Sequence, residues 1–106
     1  ISLWVCDSQL EKEDLPKRIM IDCSHGNTNK DYTLQPKVAD NCINQVLKSN
    51  QSIIGFMLES NIEEGNQKIT PDLKDLKYGV SLTDACINWE STEKLLLRLA
   101  EKLRKR

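Results

Sequence analysis

Apolar positions along the chain follow two rhythms. Ile19-Met20-Ile21 is a short apolar run that passes directly into Asp22, Cys23, Ser24 and His25. The run from Ile53 to Leu58, interrupted only by Gly55, passes in the same way into Glu59, Ser60 and Asn61, and a third, around Val80 and Leu82, ends at Asp84. Short apolar runs bounded by charge and by turn residues read as buried strands, predicted here at 18–22, 52–58 and 79–83. The other rhythm is helical. Val38, Ala39, Cys42, Ile43, Val46 and Leu47 line one stripe that opens at Pro36, a tolerated first helical residue, and fades near 48–50. Leu95, Leu96, Leu99, Ala100 and Leu103 predict the buried face of a last helix with Ser91 as N-cap. Glu93 suits the positive end of its dipole, and Lys102, Arg104, Lys105 and Arg106 the negative end. Residues 1–14, with Leu3, Trp4 and Leu10 among charged neighbours, read as a weak amphipathic helix that Pro16 stops.

The order is therefore α-β-α-β-loop-β-α, an α/β class chain containing one complete right-handed βαβ unit. Strands whose last residues turn polar suggest a parallel sheet with its chemistry at the carboxyl ends. Parallel strands need cover on both faces, and the two or three helices available supply little. The three strands look like part of a larger sheet. Residues 26–35 read as a polar loop, and 62–77 is longer than an ordinary βα connection, which favours a functional loop. The segments are 1–17, the end of a helix and a turn; 18–51, a βα unit; 52–78, a strand and long loop; and 79–106, a strand and the C-terminal helix.

Composition narrows the class. Hydrophobic residues make up 39% and charged residues 29% of 106 positions, as in a globular chain of one domain. A net charge of −1 gives no basis for nucleic-acid or membrane-surface partners. No apolar stretch approaches the ~20 residues that span a bilayer. The four cysteines, Cys6, Cys23, Cys42 and Cys86, form no CxxC pair, and without a signal-peptide pattern reduced thiols and a cytoplasmic setting are expected. The chain opens without Met, and the expectation is a natural C-terminus whose N-terminal portion is missing.

His25, Glu59 and Asp84 stand at successive strand ends, about one βα unit apart. A parallel sheet would bring them to one rim, where an imidazole and two carboxylates make a mixed N/O site suited to Mn²⁺, Fe²⁺, Co²⁺ or Zn²⁺ more than to Ca²⁺. Each also has a plainer reading: His25 as a loop residue, Glu59 and Asp84 as caps or surface charges. Cys23 and Cys86 lie near the same rim and read first as small apolar fillers.

Three stretches, in this order, resemble signature segments of the 3-deoxy-D-arabino-heptulosonate 7-phosphate (DAHP) synthases, class I microbial branch. They are Asp22-Cys23-Ser24-His25-Gly26-Asn27-Thr28-Asn29-Lys30; Gly55-Phe56-Met57-Leu58-Glu59-Ser60-Asn61 with Glu64-Gly65-Asn66-Gln67; and Tyr78-Gly79-Val80-Ser81-Leu82-Thr83-Asp84-Ala85-Cys86-Ile87. The third departs just beyond its end, with Asn88 where Gly is usual. The resemblance runs from about Arg18 to the C-terminus. It implies the last three βα units of a (β/α)8 TIM-type barrel, present as a partial barrel. It further implies that His25, Glu59 and Asp84 ligate a divalent metal. The family's fourth ligand, a Cys on an early strand, has no counterpart among the four cysteines here. Most of its phosphoenolpyruvate-binding Arg and Lys residues, and its effector pocket, lie outside the matched portion.

The reaction so implied joins phosphoenolpyruvate to erythrose 4-phosphate with release of phosphate, the first step of the shikimate pathway toward aromatic amino acids. Asp22 and Ser24 could orient the His25 ring from behind or merely satisfy nearby backbone; Lys30, Cys86 and Asn66-Gln67 would shape the rim. Two phosphorylated substrates need several fixed cations, and the rim segments offer only Lys30, Lys68 and neighbours. The chain is expected to need the remaining N-terminal part of the barrel for activity and to form a homo-oligomer. The rival readings are a catalytically silent fragment that packs on a partner or binds metal weakly, and a small metal-assisted lyase or hydrolase reusing the same ligands.

Overall fold

The computed structural model describes residues 3–105. The chain forms helix α1 (Leu3–Lys12), strand β1 (Ile19–Asp22), helix α2 (Gln35–Leu47), strand β2 (Ile53–Met57) and helix α3 (Trp89–Arg104). Short 3-10 turns at His25–Thr28, Tyr32–Leu34 and Leu73–Asp75 punctuate the loops. No helix among the described residues is long and apolar enough to cross a membrane. The predicted residues 1, 2 and 106 of the terminal helices lie outside the described residues.

β1 and β2 pair in parallel, with Ile21 opposite Phe56 and Asp22 opposite Met57, after an irregularity between Ile19 and Met20. α2 connects them, so the chain makes one βαβ unit. The apolar stripe of α2 and that of α3 meet over one face of this sheet. Cys23, Ala39, Cys42, Ile43, Leu95 and Leu99 are buried together, with Ile21, Val38, Phe56, Leu58 and Leu103 packed against them. Among the described residues the opposite face has no such cover: Met20 is 63% exposed. α1 buries none of its residues, and a cleft of about 660 Å³ separates it from β1 and α2.

The expected third strand does not form among the described residues. Residues 79–83 instead make one isolated parallel bridge, Asn66 with Ser81, flanked by pairings of Gly65 with Cys86 and Ser60 with Ile87. Local backbone geometry explains the difference. Gly79 adopts φ +78°, outside the range of an extended strand, and a Cβ there would come within 2.9 Å of the Ile62 Cβ. Carbonyls that would join a ladder are taken by other partners: Gly79 accepts the Glu63 N–H (2.9 Å), Ser81 accepts the Gln67 N–H (2.8 Å), and Gln67 Nε2 donates to Lys77 (2.8 Å) and Val80 (3.0 Å). Its Oε1 accepts from the Lys77 N–H at 2.9 Å.

Helix α3 starts earlier than predicted. Asn88, not Ser91, is the N-cap, its side chain accepting from the Ser91 N–H at 2.8 Å, and Glu90 rather than Glu93 lies in the first turn. The buried stripe is also narrower than predicted. Thr92, Leu95 and Leu99 are buried with Leu103 partly covered, whereas Leu96 and Ala100 are exposed. α3 packs on a single neighbouring helix, so only one flank is covered, and that flank is bordered by ion pairs from Arg98 (2.6 Å) and Lys102 (3.2 Å) to Asp40. The region expected as loop at 26–35 contains two of the 3-10 turns.

Leu95→Ala should destabilise the fold by roughly 2–5 kcal/mol, the range for truncating a buried leucine. Leu97→Ala, at a position 64% exposed, should stay within about 0.5 kcal/mol. Urea unfolding followed by circular dichroism measures both; equal effects would contradict the assigned core.

Candidate metal centre

Parallel pairing sends the carboxyl ends of β1 and β2 to the same side, and the chain departs from each with polar residues. At the end of β1, Asp22 accepts the Ser24 N–H at 2.8 Å, a compact turn that the small polar residues permit. The backbone at His25 then takes φ +50°, a left-handed conformation costing a non-glycine residue about 1–2 kcal/mol. Neighbouring bonds hold it there: Lys30 N–H and the Thr28 hydroxyl both donate to the His25 carbonyl, at 2.9 and 3.2 Å. The Asn27 amide donates to the Asp22 carbonyl at 2.7 Å. Strain over-determined by its surroundings is typical of functional positions.

The imidazole lies among three carboxylates. Nδ1 stands 3.0 Å from Asp22 Oδ2, while Nε2 faces Asp84 Oδ2 at 3.1 Å and Glu59 Oε1 at 3.8 Å. The contact with Asp22, then that with Asp84 and the charge of Glu59, raise the His25 pKa above its ordinary value. A ring that donates Nδ1–H to Asp22 can donate Nε2–H to Asp84 when protonated, and when neutral has its Nε2 lone pair available to a cation shared with the two other carboxylates.

Glu59 is the most enclosed of the three, its side chain 19% exposed against 49% for His25 and 64% for Asp84. The Ser24 hydroxyl donates to its Oε1. Ser24 therefore bonds to Glu59 and not to the His25 ring; of the pair expected behind the ring, Asp22 alone touches it. The Glu59 backbone is gripped by Gln35, which accepts its N–H at 2.7 Å and donates to its carbonyl at 3.0 Å. Asp84 comes from the segment that failed to form a strand. Cross-links to residues 65–67 fix it: Gly65 and Cys86 exchange backbone bonds of 2.8 and 3.1 Å, and the Asn66 amide donates to the Thr83 carbonyl at 3.0 Å.

A pocket of about 250 Å³ opens above this cluster, lined by Ser24, His25, Lys30, Tyr32, Glu59, Asn66, Asp84 and Ala85. Among the described residues Lys30 is the one lysine or arginine lining it. Tyr32, which nothing in its local sequence marked, donates to Glu64 at 3.4 Å; desolvation and that carboxylate raise its phenol pKa. Cys86 is buried with its thiol on the Asp84 carbonyl at 3.5 Å, and burial raises its pKa. Cys23 sits in the core against Cys42, and that contact, before burial, raises its pKa. Both thiols stay protonated, as fillers do, and neither lines the pocket.

The donor set fits a divalent transition metal. One nitrogen and two carboxylate oxygens lie within 4.8 Å of one another. Ligand atoms about 2.1 Å from a common ion stand about 3 Å apart, so small rotations of these side chains would complete the approach. Two negative ligands and a neutral imidazole, with Asp22 behind, leave an excess of negative charge that a cation offsets.

Over 98 residues, 92% of the chain, the chain is 54% identical to the Tyr-sensitive phospho-2-dehydro-3-deoxyheptonate aldolase of Enterobacter agglomerans, covering 46% of that protein. Over 104 residues it is 55% identical to the phenylalanine-inhibited enzyme of Saccharomyces cerevisiae, covering 28% of it. The solved structure of the phospho-2-dehydro-3-deoxyheptonate aldolase from Francisella tularensis superposes with a TM-score of 0.86 at 42% identity, over 96% of this chain and 29% of that one. The chain thus spans less than half the length of the relatives it matches. Residues 2–97 match the DAHP synthetase I family, and the chain belongs to that family.

Proposed function

We propose that the chain is the metal-bearing portion of a DAHP synthase, corresponding to the last three βα units of a (β/α)8 barrel. The complete enzyme would condense phosphoenolpyruvate with erythrose 4-phosphate and release phosphate, a transferase reaction opening aromatic amino acid biosynthesis. The observation that carries this reading is the convergence of His25, Glu59 and Asp84 from three separate segments of a chain of this family. The division at 1–17, 18–51, 52–78 and 79–106 follows from the same correspondence. Among the described residues one face of the β1–β2 sheet is bare, with Met20 exposed, and no further strand pairs with the outer edges, which fits a sheet that continues into further strands. The same edges support assembly with further chains in a homo-oligomer. Four free cysteines suit the reducing cytoplasm.

In this reading His25 contributes Nε2, and Glu59 and Asp84 each contribute a carboxylate oxygen. A divalent cation held there supplies Lewis acidity toward an aldehyde oxygen. Asp22 holds the imidazole in the tautomer that leaves Nε2 free. Ser24 fixes one Glu59 oxygen, limiting the directions the carboxylate can take. The strained turn at His25 spares the site the cost of arranging the ring when substrate arrives. Lys30, on the pocket wall, is placed to attract a phosphorylated substrate.

One observation favours a second reading for the chain alone. Among the described residues Lys30 is the one lysine or arginine lining the pocket, and two phosphate-bearing substrates require more. The isolated 106-residue chain would then bind metal weakly and remain catalytically silent, with the missing cations and a further metal ligand supplied by the rest of the barrel.

Two outcomes are expected. In the complete enzyme, Glu59→Gln should weaken Mn²⁺ binding beyond the roughly 10–100-fold that loss of an outer partner causes and abolish measurable condensation; titration calorimetry and phosphate release read this, and wild-type values would refute the ligand assignment. The isolated chain should release no phosphate from the two substrates, and mixing it with the remaining barrel portion should restore activity. Turnover by the isolated chain would contradict the partial-barrel reading.

A further inference from the structure

Gln35 is fully buried, at 0% exposure, and does not itself line the pocket. It opens α2, next to Pro36, and its side chain reaches the residue just beyond β2. There its amide accepts the Glu59 N–H at 2.7 Å and donates to the Glu59 carbonyl at 3.0 Å. A side-chain amide carries the same donor and acceptor as a peptide group. Gln35 therefore pairs with Glu59 as a neighbouring strand would, where the ladder has ended.

The consequences fall on one side chain. The Glu59 carbonyl also accepts the Ile87 N–H at 3.0 Å, and Asn61 N–H donates to the Ile87 carbonyl at 2.9 Å. The next residue, Ser60, bonds through its hydroxyl to Thr92 of α3. Both backbone groups of Glu59 are thus taken, by α2 on one side and by the approach to α3 on the other. With N–H and carbonyl both bonded, rotation of the peptide planes around Glu59 is restrained, and its carboxylate lies beside His25 and Asp84. Neither carboxylate exposure nor backbone pairing elsewhere gives Asp84 this restraint.

We infer that Gln35 is a positioning residue for the metal centre, locking the Glu59 backbone so that its carboxylate meets a divalent cation without reorganisation. The inference rests on the reading of Glu59 as a ligand. Pre-organisation of this kind lowers the cost of binding, and partners one step removed from a metal typically govern its affinity by 10–100-fold.

The test uses the complete enzyme, with Mn²⁺ alone as the probe. Gln35→Met keeps the side chain's length and apolar volume and removes both hydrogen bonds. It is expected to raise the Kd for Mn²⁺ by about 10-fold or more. kcat measured at saturating Mn²⁺ should fall less than Mn²⁺ affinity does, and the Mn²⁺ electron paramagnetic resonance spectrum should broaden as the carboxylate samples several directions. A purely structural role predicts a lower melting temperature of the metal-free protein with an unchanged Kd in the folded population, and that result would overturn the inference. Should Gln35→Met fail to fold, Gln35→Glu, which keeps the acceptor for the Glu59 N–H, carries the same measurement at a pH above that at which its carboxyl ionises, where the donor to the Glu59 carbonyl is lost; a wild-type Kd there overturns the inference equally. Glu59→Gln run in parallel separates the two levels. If it leaves Mn²⁺ affinity unchanged, the ligand reading itself fails; if it destroys affinity while Gln35 variants retain it, only the positioning role fails.

Discussion

The parallel register between β1 and β2 is the constraint from which the rest of the molecule follows. Because Asp22 lies opposite Met57, the residues that leave both strands, Ser24 with His25 and Glu59 with Ser60, emerge at the same level and on the same rim. An antiparallel pairing would send them to opposite ends. A one-residue slip would exchange the faces of Ile21 and Cys23 with that of Met20, stripping the core of its strand contribution. The register is therefore held by the same burial that joins α2 to α3 around Cys42, Leu95 and Leu99, and core packing and site geometry are one problem.

The site itself is stiff where it is enclosed and looser where it is open. Glu59 is tied through its backbone to Gln35 and Ile87 and through its carboxylate to Ser24. His25 is held by a left-handed turn whose carbonyl accepts from two later residues, and its ring by Asp22. Asp84, the most exposed of the three, depends on the pairing of residues 81–86 with 65–67. This gradient suits a centre in which two ligands are set beforehand and the third can adjust as substrate enters a pocket of about 250 Å³.

Much of this was legible in the sequence because it is written in local pattern. The two apolar runs that end in polar clusters became β1 and β2, and the 3.6-residue stripe after Pro36 became α2. The meeting of His25 with Glu59 followed from strand ends and family-like segments; that of Asp84 followed from the family-like segment alone, since its expected strand does not form. What escaped depends on partners distant in the chain. Residues 79–83 look like a strand, but Gly79 turns left-handed against Ile62, and Glu63 and Gln67 take the carbonyls of residues 79–81. Leu96 and Ala100 fit the helical stripe, but nothing among the described residues lies opposite them. Asn88 stood out as a departure from the family's Gly, and its capping bond to Ser91 gives that departure a structural use. Gln35 had no local signal, since a polar residue at a helix start gives no sign that it will pair with a backbone 24 positions away.

The central claim is that His25, Glu59 and Asp84 share one metal ion. Anomalous diffraction at the manganese absorption edge, on crystals of the complete enzyme grown with Mn²⁺, tests it most directly. The account predicts a single strong peak per subunit bonded to His25 Nε2 and to one carboxylate oxygen each from Glu59 and Asp84. A fully occupied metal bound elsewhere, or one that leaves the His25 ring uncoordinated, would contradict it.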